Sequence, residues 1–317
     1  MNTASSSNVS PQQTSRFNGA MCPVCQQTFR NGEIVCPSDM ELLVPAVIDA
    51  LIGTVIDRKY RLLSLSGKGA TAKVYRATHE SIGRTVAVKI VDAPTDVAST
   101  RAVERLRREA RALSLINHPN VPRLFDAGQL ADGSTYLVLD YYEGLSLYDR
   151  IQEKGCVAPE DLVPLMAEVC DALEHIHAHG MIHRDIKPEN IIVLSKPQGR
   201  IHVKLIDFGI CKFDDPGSED NARANAEFCG SPLYMSPENI NGVLVDRRSD
   251  VYSLGATMYH ALSGKPPLSE TTLIDIVHAH RSVMPSPISY IRPDAQVPLS
   301  LEAAVFRSLQ KLPGNRY

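Results

Sequence analysis

The chain has 317 residues, 44% of them hydrophobic, and can therefore bury the core of one ordinary domain together with an appendage. Its formal net charge of −3 gives no broad positive field, so nucleic acid and anionic membranes are not expected as partners. The chain contains no apolar run near the ~18 residues that a membrane-spanning helix needs, and no secretory signal at its start. These features predict a cytoplasmic globular protein with no membrane segment within this chain.

The first 53 residues divide into three predicted segments. Residues 1–18 are rich in Ser, Asn, Thr and Gln, which predicts a disordered tail. Residues 19–40 contain three cysteines and resemble half of a zinc ribbon. In residues 41–53 the apolar positions recur at helical spacing, which predicts a short linker helix.

The chain has seven cysteines, three of them in the zinc-ribbon-like segment. Cys22 and Cys25 form a C-x-x-C pair, and Cys36 and Asp39 repeat the same spacing. This pattern leaves three interpretations open: a zinc site with these four residues as ligands, an unmetallated turn with free thiols, or redox regulation. The remaining cysteines are expected to be small apolar side chains: Cys156, Cys170, Cys211 and Cys229.

A glycine-rich turn lies between two strand-like segments of the main domain, which begins at about residue 54. Gly67, Gly69 and the small residue Ala72 let the backbone approach phosphate groups closely. An ordinary hairpin turn would look the same, but Lys89 follows about twenty residues later in the β-branched run VAVKI. The turn and the lysine together favour phosphate binding.

The next predicted helix carries a carboxylate on its apolar face. Val103, Leu106 and Leu113 form an inward-facing stripe, and Glu109 shares that face. A buried carboxylate is unfavourable unless a cation meets it, so Lys89 is its predicted partner. The alternative is a surface glutamate beside the neighbouring arginines.

The segment HGMIHRDIKPENIIV follows a predicted helix over 162–179 and brings three functional side chains into six residues. Asp185 can accept a hydroxyl proton, Lys187 supplies a cation, and Asn190 supplies an amide that can ligate a metal. About twenty residues later, Asp207 ends an alternating strand and can bind a hard cation such as Mg2+. This set is typical of in-line phosphoryl transfer.

With GKGATAKV, VAVK, HRDIKPEN, DFG, SPE and DVYSLG in this order, the sequence resembles the eukaryotic-type (Hanks-type) serine/threonine protein kinases, in particular the bacterial members. The resemblance covers about residues 54–317. It implies a bilobal α+β protein kinase fold, with a β-rich N-lobe over about 54–143 and an α-helical C-lobe over about 144–317. The small cysteine-containing segment precedes this domain. Because the family usually continues into one more helix, the final helix is expected to be missing.

The resemblance assigns roles to the phosphoryl-transfer residues. It implies that Lys89 holds the α- and β-phosphates of ATP and that Glu109 positions this lysine. Asn190 and Asp207 would bind Mg2+, and Asp185 would accept the proton of the substrate hydroxyl.

The resemblance also places the nucleotide. Lys187 would meet the γ-phosphate, and its position within HRDIKPEN points to serine or threonine acceptors. The residues implied to contact ATP are Gly67, Lys68, Gly69, Ala72, Val74, Ala87, Lys89, Leu139, Asp140, Tyr142 and Ile192.

Three supporting contacts are implied in the C-terminal half. Glu238 of the SPE motif would pair with Arg316, and Asp250 would brace the catalytic loop from a buried helix. Ser231 stands where the family usually has a threonine, and its hydroxyl can serve similarly.

The activation segment departs from the usual pattern, because its only hydroxyl residue between Gly209 and Ser231 is Ser218. Glu227 occupies a position where many relatives carry a phosphorylated threonine. We hypothesise that Glu227 pairs with Arg184 and partly replaces a phosphate. A solvated Glu227 is the alternative.

These residues predict a serine/threonine protein kinase that uses Mg-ATP to phosphorylate protein hydroxyl groups, including its own. The two other functions considered are a pseudokinase scaffold and a small-molecule phosphotransferase. The complete set of phosphoryl-transfer residues disfavours the first, and the segment GSPLYMSPE disfavours the second. The sequence does not predict an oligomeric state or a particular substrate.

Overall fold

The computed structural model describes residues 19–24, 28–29, 33–46, 49–69, 71–195, 201–213, 230–243, 245–270 and 272–317. The chain divides into two compact units, Met1–Ile90 and Val91–Tyr317. In the described part of the chain, no helix is both long enough and apolar enough to span a membrane. The predicted tail over 1–18 lies outside the described residues. The predicted domain boundaries and the missing final helix stay predictions.

The cysteine segment forms a small antiparallel sheet with the strand order β2-β1-β3. Its strands are β1 (Gly19–Met21), β2 (Thr28–Phe29) and β3 (Val44–Ala46). Because β3 pairs with β1 and residues 50–53 form turns, the linker helix predicted over 41–53 is wrong there. Pro45 supplies the physical reason, since proline breaks a helix interior but is tolerated in an edge strand.

An antiparallel meander of four strands completes the first unit. Tyr75 faces Val88 across the ladder between the third and fourth of these strands, and both side chains are fully buried. The amide of Gly69 donates to the carbonyl of Ala72 (2.9 Å), so the glycine-rich turn connects two strands as predicted. The strands are β4 (Val55–Ile56), β5 (Tyr60–Lys68), β6 (Lys73–His79) and β7 (Thr85–Val91).

The second unit is mainly helical. It begins with α1 (Val97–Leu115) and a hairpin of β8 (Leu124–Gln129) and β9 (Thr135–Asp140). Its other helices are α2 (Leu147–Lys154), α3 (Pro159–Ala178), α4 (Pro237–Ile240), α5 (Arg248–Ser263), α6 (Leu273–Ser282), α7 (Ile288–Ile291) and α8 (Leu299–Ser308). Its short strands are β10 (Leu145–Ser146), β11 (Met181–Ile182), β12 (Ile191–Ser195), β13 (Ile201–Leu205) and β14 (Lys212–Phe213). The predicted order of a β-rich part before a helical part is confirmed.

Two buried helices form the platform for the loop between β11 and β12. α3 begins at Pro159, whose fixed φ suits the first helical turn, and it agrees with the helix predicted over 162–179. α5 is buried on nearly every side and includes the fully buried Tyr252. The loop between β11 and β12, residues 183–190, carries Asp185, Lys187 and Asn190, and is called the catalytic loop below.

A polar contact in the first unit ties the chain before β4 to strand β6. Oδ1 of Asp49 accepts hydrogen bonds from the hydroxyl of Tyr75 (3.0 Å) and the amide of Leu51 (3.0 Å). Lys73 Nζ lies 2.9 Å from Oδ2 of the same carboxylate. Burial alone would raise the pKa of Asp49, but these hydrogen bonds and the charge of Lys73 hold it below its ordinary value.

Replacing Asp49 with alanine should destabilise the first unit by about 1–3 kcal/mol, because the buried hydroxyl of Tyr75 would lose its acceptor. Urea unfolding of the full chain measures this change. The matched control is Glu80→Ala, which removes a more exposed salt bridge with Arg61 and should change the urea midpoint of unfolding little. Equal losses in the two variants would contradict the expectation.

Candidate active site

The catalytic loop is anchored by one carboxylate from α5. Oδ1 of Asp250 accepts a hydrogen bond from the amide of Arg184 (2.8 Å), and Oδ2 accepts one from the amide of His183 (2.9 Å). The ring Nε2 of His177 lies 2.7 Å from Oδ2. Asp250 is fully buried. The prediction that Asp250 braces the catalytic loop is therefore confirmed.

The charges in this anchor are set by burial and hydrogen bonding. Burial alone would raise the pKa of Asp250, but the hydrogen bond and charge of His177 and the amide of Arg184 bring it below its ordinary value. Burial lowers the pKa of His183, whose ring is fully enclosed. Asp250 is therefore an anion and His183 is neutral at neutral pH.

Asp185 lies at the centre of a polar cluster. Lys187 Nζ is 2.7 Å and Asn190 Nδ2 is 3.0 Å from Oδ2 of Asp185. The amide of Ser231 donates to Oδ1 (3.2 Å), and the hydroxyl of Ser231 accepts a hydrogen bond from Lys187 Nζ (2.8 Å). The structure thus places a carboxylate, a cation and a hydroxyl side by side, as the sequence predicted for residues 185, 187 and 231.

Asp207 follows β13 at a strained turn in the DFG motif. Its φ of 66° is in the left-handed region, and the amide of Gly209 approaches Oδ1 at 3.4 Å. A Cβ atom at position 209 would lie 3.3 Å from Oδ1 of Asp207 and 3.8 Å from Oε2 of Glu109. Both carboxylates therefore border the backbone of Gly209. Phe208 is fully buried, and its ring packs edge-on against His183 with the centroids 4.8 Å apart.

Asn190 and Asp207 fit a magnesium site by the chemistry of their oxygen donors. Asn190 Nδ2 donates to the carbonyl (2.8 Å) and to Oδ2 of Asp185, so the planar amide directs its oxygen away from that residue. The amide of Ile206 donates to the carbonyl of Asn190 (2.9 Å), which fixes the start of the DFG motif against the catalytic loop. Carboxylate and carboxamide oxygens are hard ligands that suit Mg2+.

Glu109 is 2% exposed on α1, on the same face as the buried Leu106 and Leu113. The prediction that it shares the apolar face is confirmed, and the surface interpretation is wrong. Lys89 lies on β7 and pairs in register with Val74 on β6. The predicted contact between Lys89 and Glu109 stays a prediction.

Three of the predicted nucleotide-binding residues of the first unit share one face of the β6–β7 ladder. Val74 is the register partner of Lys89, and Ala87 lies two residues before Lys89 on the same strand. This face is opposite the one that buries Tyr75 and Val88. One face of the ladder therefore carries Lys89 together with Val74 and Ala87, the predicted adenine contacts of this unit.

Gly144 follows β9 and is a residue that the sequence reasoning missed. A Cβ atom there would lie 2.6 Å from the carbonyl oxygen of Val193 and 3.1 Å from Cγ2 of Ile192. Only glycine fits this approach without a shift of β12. The predicted adenine-binding residue Ile192 is thus packed against the chain that follows three other residues predicted to contact ATP, Leu139, Asp140 and Tyr142.

One partner of Arg184 was also missed. Its Nη2 donates to Oδ1 of Asn239 on α4 (2.9 Å), and both side chains are buried. Glu227, the partner predicted for Arg184, and Ser218 lie outside the described residues. The hypothesis about Glu227 stays a prediction. The contact of His177 with Asp250 was missed as well. The position of His177 near the end of α3, shortly before the catalytic loop, could have indicated it.

A buried ion pair holds the SPE motif. Arg316 Nη1 lies 2.7 Å from Oε1 of Glu238, and Nη2 lies 2.9 Å from Oε2. Burial alone would raise the pKa of Glu238, but the two hydrogen bonds from Arg316 keep it below its ordinary value. The predicted pair is therefore confirmed.

Comparisons with known proteins agree with this geometry. Residues 60–312 match the family described as protein kinase domain. Serine/threonine-protein kinase pkn3 of Myxococcus xanthus is 35% identical over 269 residues, which cover 84% of this chain and 49% of that protein. Serine/threonine-protein kinase PknB of Mycolicibacterium smegmatis is 36% identical over 264 residues, which cover 82% of this chain and 41% of that protein. The chain thus spans less than half the length of these curated relatives, and the predicted α+β protein kinase fold is confirmed.

Replacing Asp250 with asparagine should destabilise the protein by about 3 kcal/mol at neutral pH, because an amide cannot satisfy three converging donors. Urea unfolding monitored at several pH values tests this. Since the pKa of Asp250 is lowered in the folded protein, its contribution is complete above the ordinary carboxyl pKa and is lost as the pH falls through the lowered value. The difference between the two proteins should therefore shrink below about pH 4.

The matched control is Asp171→Asn on α3, whose carboxylate is 66% exposed beside His118. This change should stay within about 0.5 kcal/mol. An equal loss of unfolding free energy in the Asp171 and Asp250 variants would show that Asp250 contributes no more to stability than an exposed carboxylate.

Proposed function

Because the chain belongs to the protein kinase family, we propose that it is a serine/threonine protein kinase that transfers the γ-phosphate of Mg-ATP to protein hydroxyl groups, including its own. The observation that carries the proposal is the cluster of Asp185, Lys187, Asn190 and Ser231. It combines a proton acceptor, a cation and a metal-ligating amide within hydrogen-bonding distance of one another. Phosphoryl transfer depends mainly on positioning and charge stabilisation, which such a cluster supplies.

Each residue of the cluster has one proposed task. Asp185 orients the acceptor hydroxyl and receives its proton. Its Oδ2 lies 2.7 Å from Nζ of Lys187, which places the proton acceptor beside the cation that meets the phosphoryl group. Lys187 neutralises charge on the transferring phosphoryl group. Ser231 fixes the ammonium group of Lys187 and, through its amide, the other oxygen of Asp185.

Asn190 and Asp207 are the proposed magnesium ligands, with the carboxamide oxygen of the first and the carboxylate of the second. When bound, Mg2+ neutralises charge on the phosphate oxygens of ATP. The hydrogen bond between the amide of Ile206 and the carbonyl of Asn190 keeps the two ligand-bearing segments in register.

The nucleotide contacts are proposed from the family resemblance. The glycine-rich turn with Gly67, Lys68, Gly69 and Ala72 covers the phosphates, and Lys89 holds them, positioned by Glu109. Adenine would contact Val74, Ala87, Leu139 and Ile192, with hydrogen bonds to the backbone of Asp140 and Tyr142.

The substrates, partners and location of the whole protein are part of the proposal. Proteins with serine or threonine acceptors are the proposed substrates, and the cytoplasm is the proposed location. The curated relatives named above are serine/threonine-protein kinases by name, which supports this acceptor class.

The test is transfer of labelled phosphate from Mg-ATP to the full chain itself and to a generic basic protein. Asp207→Asn and Asp185→Asn should each lower incorporation by about 100-fold or more, because each removes a group that acts on the reacting atoms. Asp171→Asn, on the surface of α3, should match wild type. Folded wild-type protein that binds ATP but transfers no phosphate would indicate a scaffold instead.

Ser231 gives a second prediction with an internal control. Ser231→Ala removes the hydroxyl that holds Lys187 and should lower kcat by about tenfold or more with little change in KM for ATP. Ser231→Thr keeps the hydroxyl and should retain most of the activity. Steady-state kinetics on a protein substrate measures both, and equal activity of the alanine variant would exclude the positioning role.

A further inference from the structure

We propose that Cys22, Cys36 and Asp39 bind a zinc ion in the first unit. Oδ2 of Asp39 lies 3.2 Å from Sγ of Cys22 and 3.4 Å from Sγ of Cys36. The three ligand atoms all lie within 4.8 Å of one another. In a tetrahedral site with Zn–S of about 2.3 Å and Zn–O of about 2.1 Å, the S···O edge is about 3.6 Å. The spacing therefore needs only a small expansion to hold the ion.

Burial within the cysteine segment is independent support for a metal. Cys22 and Cys36 are the only fully buried side chains among the residues of 19–46 whose burial the structure describes. Several larger apolar side chains of the segment are exposed instead: Val24 (62%), Ile34 (72%), Met40 (78%) and Leu42 (66%). A segment this small that buries little apolar surface commonly needs a cross-link or a metal to stay folded.

Neither Cys22 nor Cys36 is in a disulfide, so a disulfide does not provide that cross-link. Both sulfurs lie within hydrogen-bonding distance of Asp39, but thiols are weak donors, and such bonds alone stabilise a segment little. A zinc ion bound by the two thiolates and the carboxylate would join the same atoms far more strongly.

The backbone brings the ligands together from two stretches of chain. The amide of Met40 donates to the carbonyl of Cys36 (2.9 Å), and the amide of Cys36 donates to the carbonyl of Glu41 (2.8 Å). This turn presents Cys36 and Asp39 side by side. Cys22 follows directly after β1, which pairs with β3 beyond the turn. The sheet and the turn thus fix all three ligand positions.

Zinc is the ion that this ligand set favours. Two soft thiolates disfavour Mg2+ and Ca2+, and a mixture of thiolate and carboxylate ligands suits zinc. Cys25, the other ligand predicted from the sequence, lies outside the described residues. The proposal does not depend on it, and it is left unchanged in every variant below.

The test is the metal content of the full chain, purified without a metal-binding tag and measured by mass spectrometry for zinc and iron. Wild type should carry about one zinc per chain. Cys22→Ser, Cys36→Ser and Asp39→Ala should each lower zinc occupancy by about tenfold or more. The matched control is Cys170→Ser on α3, an exposed cysteine of the second unit, which should keep the full zinc content.

Cobalt provides a second measurement that does not depend on how well each variant folds. Adding Co2+ to the zinc-depleted wild-type chain should give the intense thiolate-to-metal charge-transfer absorption, and Zn2+ should abolish it. Wild type without zinc, wild type with iron in its place, or cobalt binding without thiolate absorption would each overturn the proposal. Equal zinc content in wild type and the Cys36 variant would do the same. None of these measurements uses ATP, so they are independent of the proposed kinase activity.

Discussion

The buried carboxylate of Asp250 holds two consecutive amides of the catalytic loop, those of His183 and Arg184. Arg184 has a φ of 69°, a left-handed conformation that is unfavourable for a residue with a side chain, by about 1 kcal/mol or more. Hydrogen bonds to an ionised acceptor are strong enough to offset that strain. The turn at Arg184 directs the next residue, Asp185, towards Lys187 and Ser231. The geometry of the candidate catalytic cluster therefore depends on one anion from a buried helix.

The rest of the second-unit site is connected to this anchor through short contacts. His183, whose amide Asp250 holds, packs its ring against Phe208 of the DFG motif. Asn190 closes the catalytic loop by donating to Asp185, and its own carbonyl accepts from Ile206. The segment that carries the proposed metal ligand Asp207 is thus held by the catalytic loop, which is held by Asp250. A displacement of Asp250 would therefore also move Asp185, Asn190 and Asp207.

The motifs made most of the second-unit site predictable. The contacts of Asp250, Glu238 and Ser231 follow from side chains in recognisable positions, and the amphipathic pattern of α1 located Glu109. The structure added partners that no local pattern indicates. His177 is 73 residues from its partner Asp250, and Asn239 is 55 residues from its partner Arg184, so only the packing of α3, α4 and α5 brings these side chains together.

Predictions from periodicity failed where a backbone constraint competed with it. Residues 41–53 have apolar residues at helical spacing, yet Pro45 and pairing with β1 select a strand. Gly144 shows the opposite case, in which a residue without a side chain gave no pattern to interpret. Its role follows only from the carbonyl of Val193, which occupies the space that a Cβ atom would need.

The two units hold their carboxylates in different ways. In the second unit, Glu238 meets the two donors of a guanidinium group, and Asp250 meets three nitrogen donors, so protein atoms account for the burial of these anions. In the cysteine segment, one oxygen of the half-buried Asp39 faces two thiol sulfurs, which are weak donors. A carboxylate and two soft ligands at nearly tetrahedral spacing form a ligand set that suits zinc. The proposed ion would therefore contribute at Asp39 the strong charge interaction that nitrogen donors contribute at Asp250.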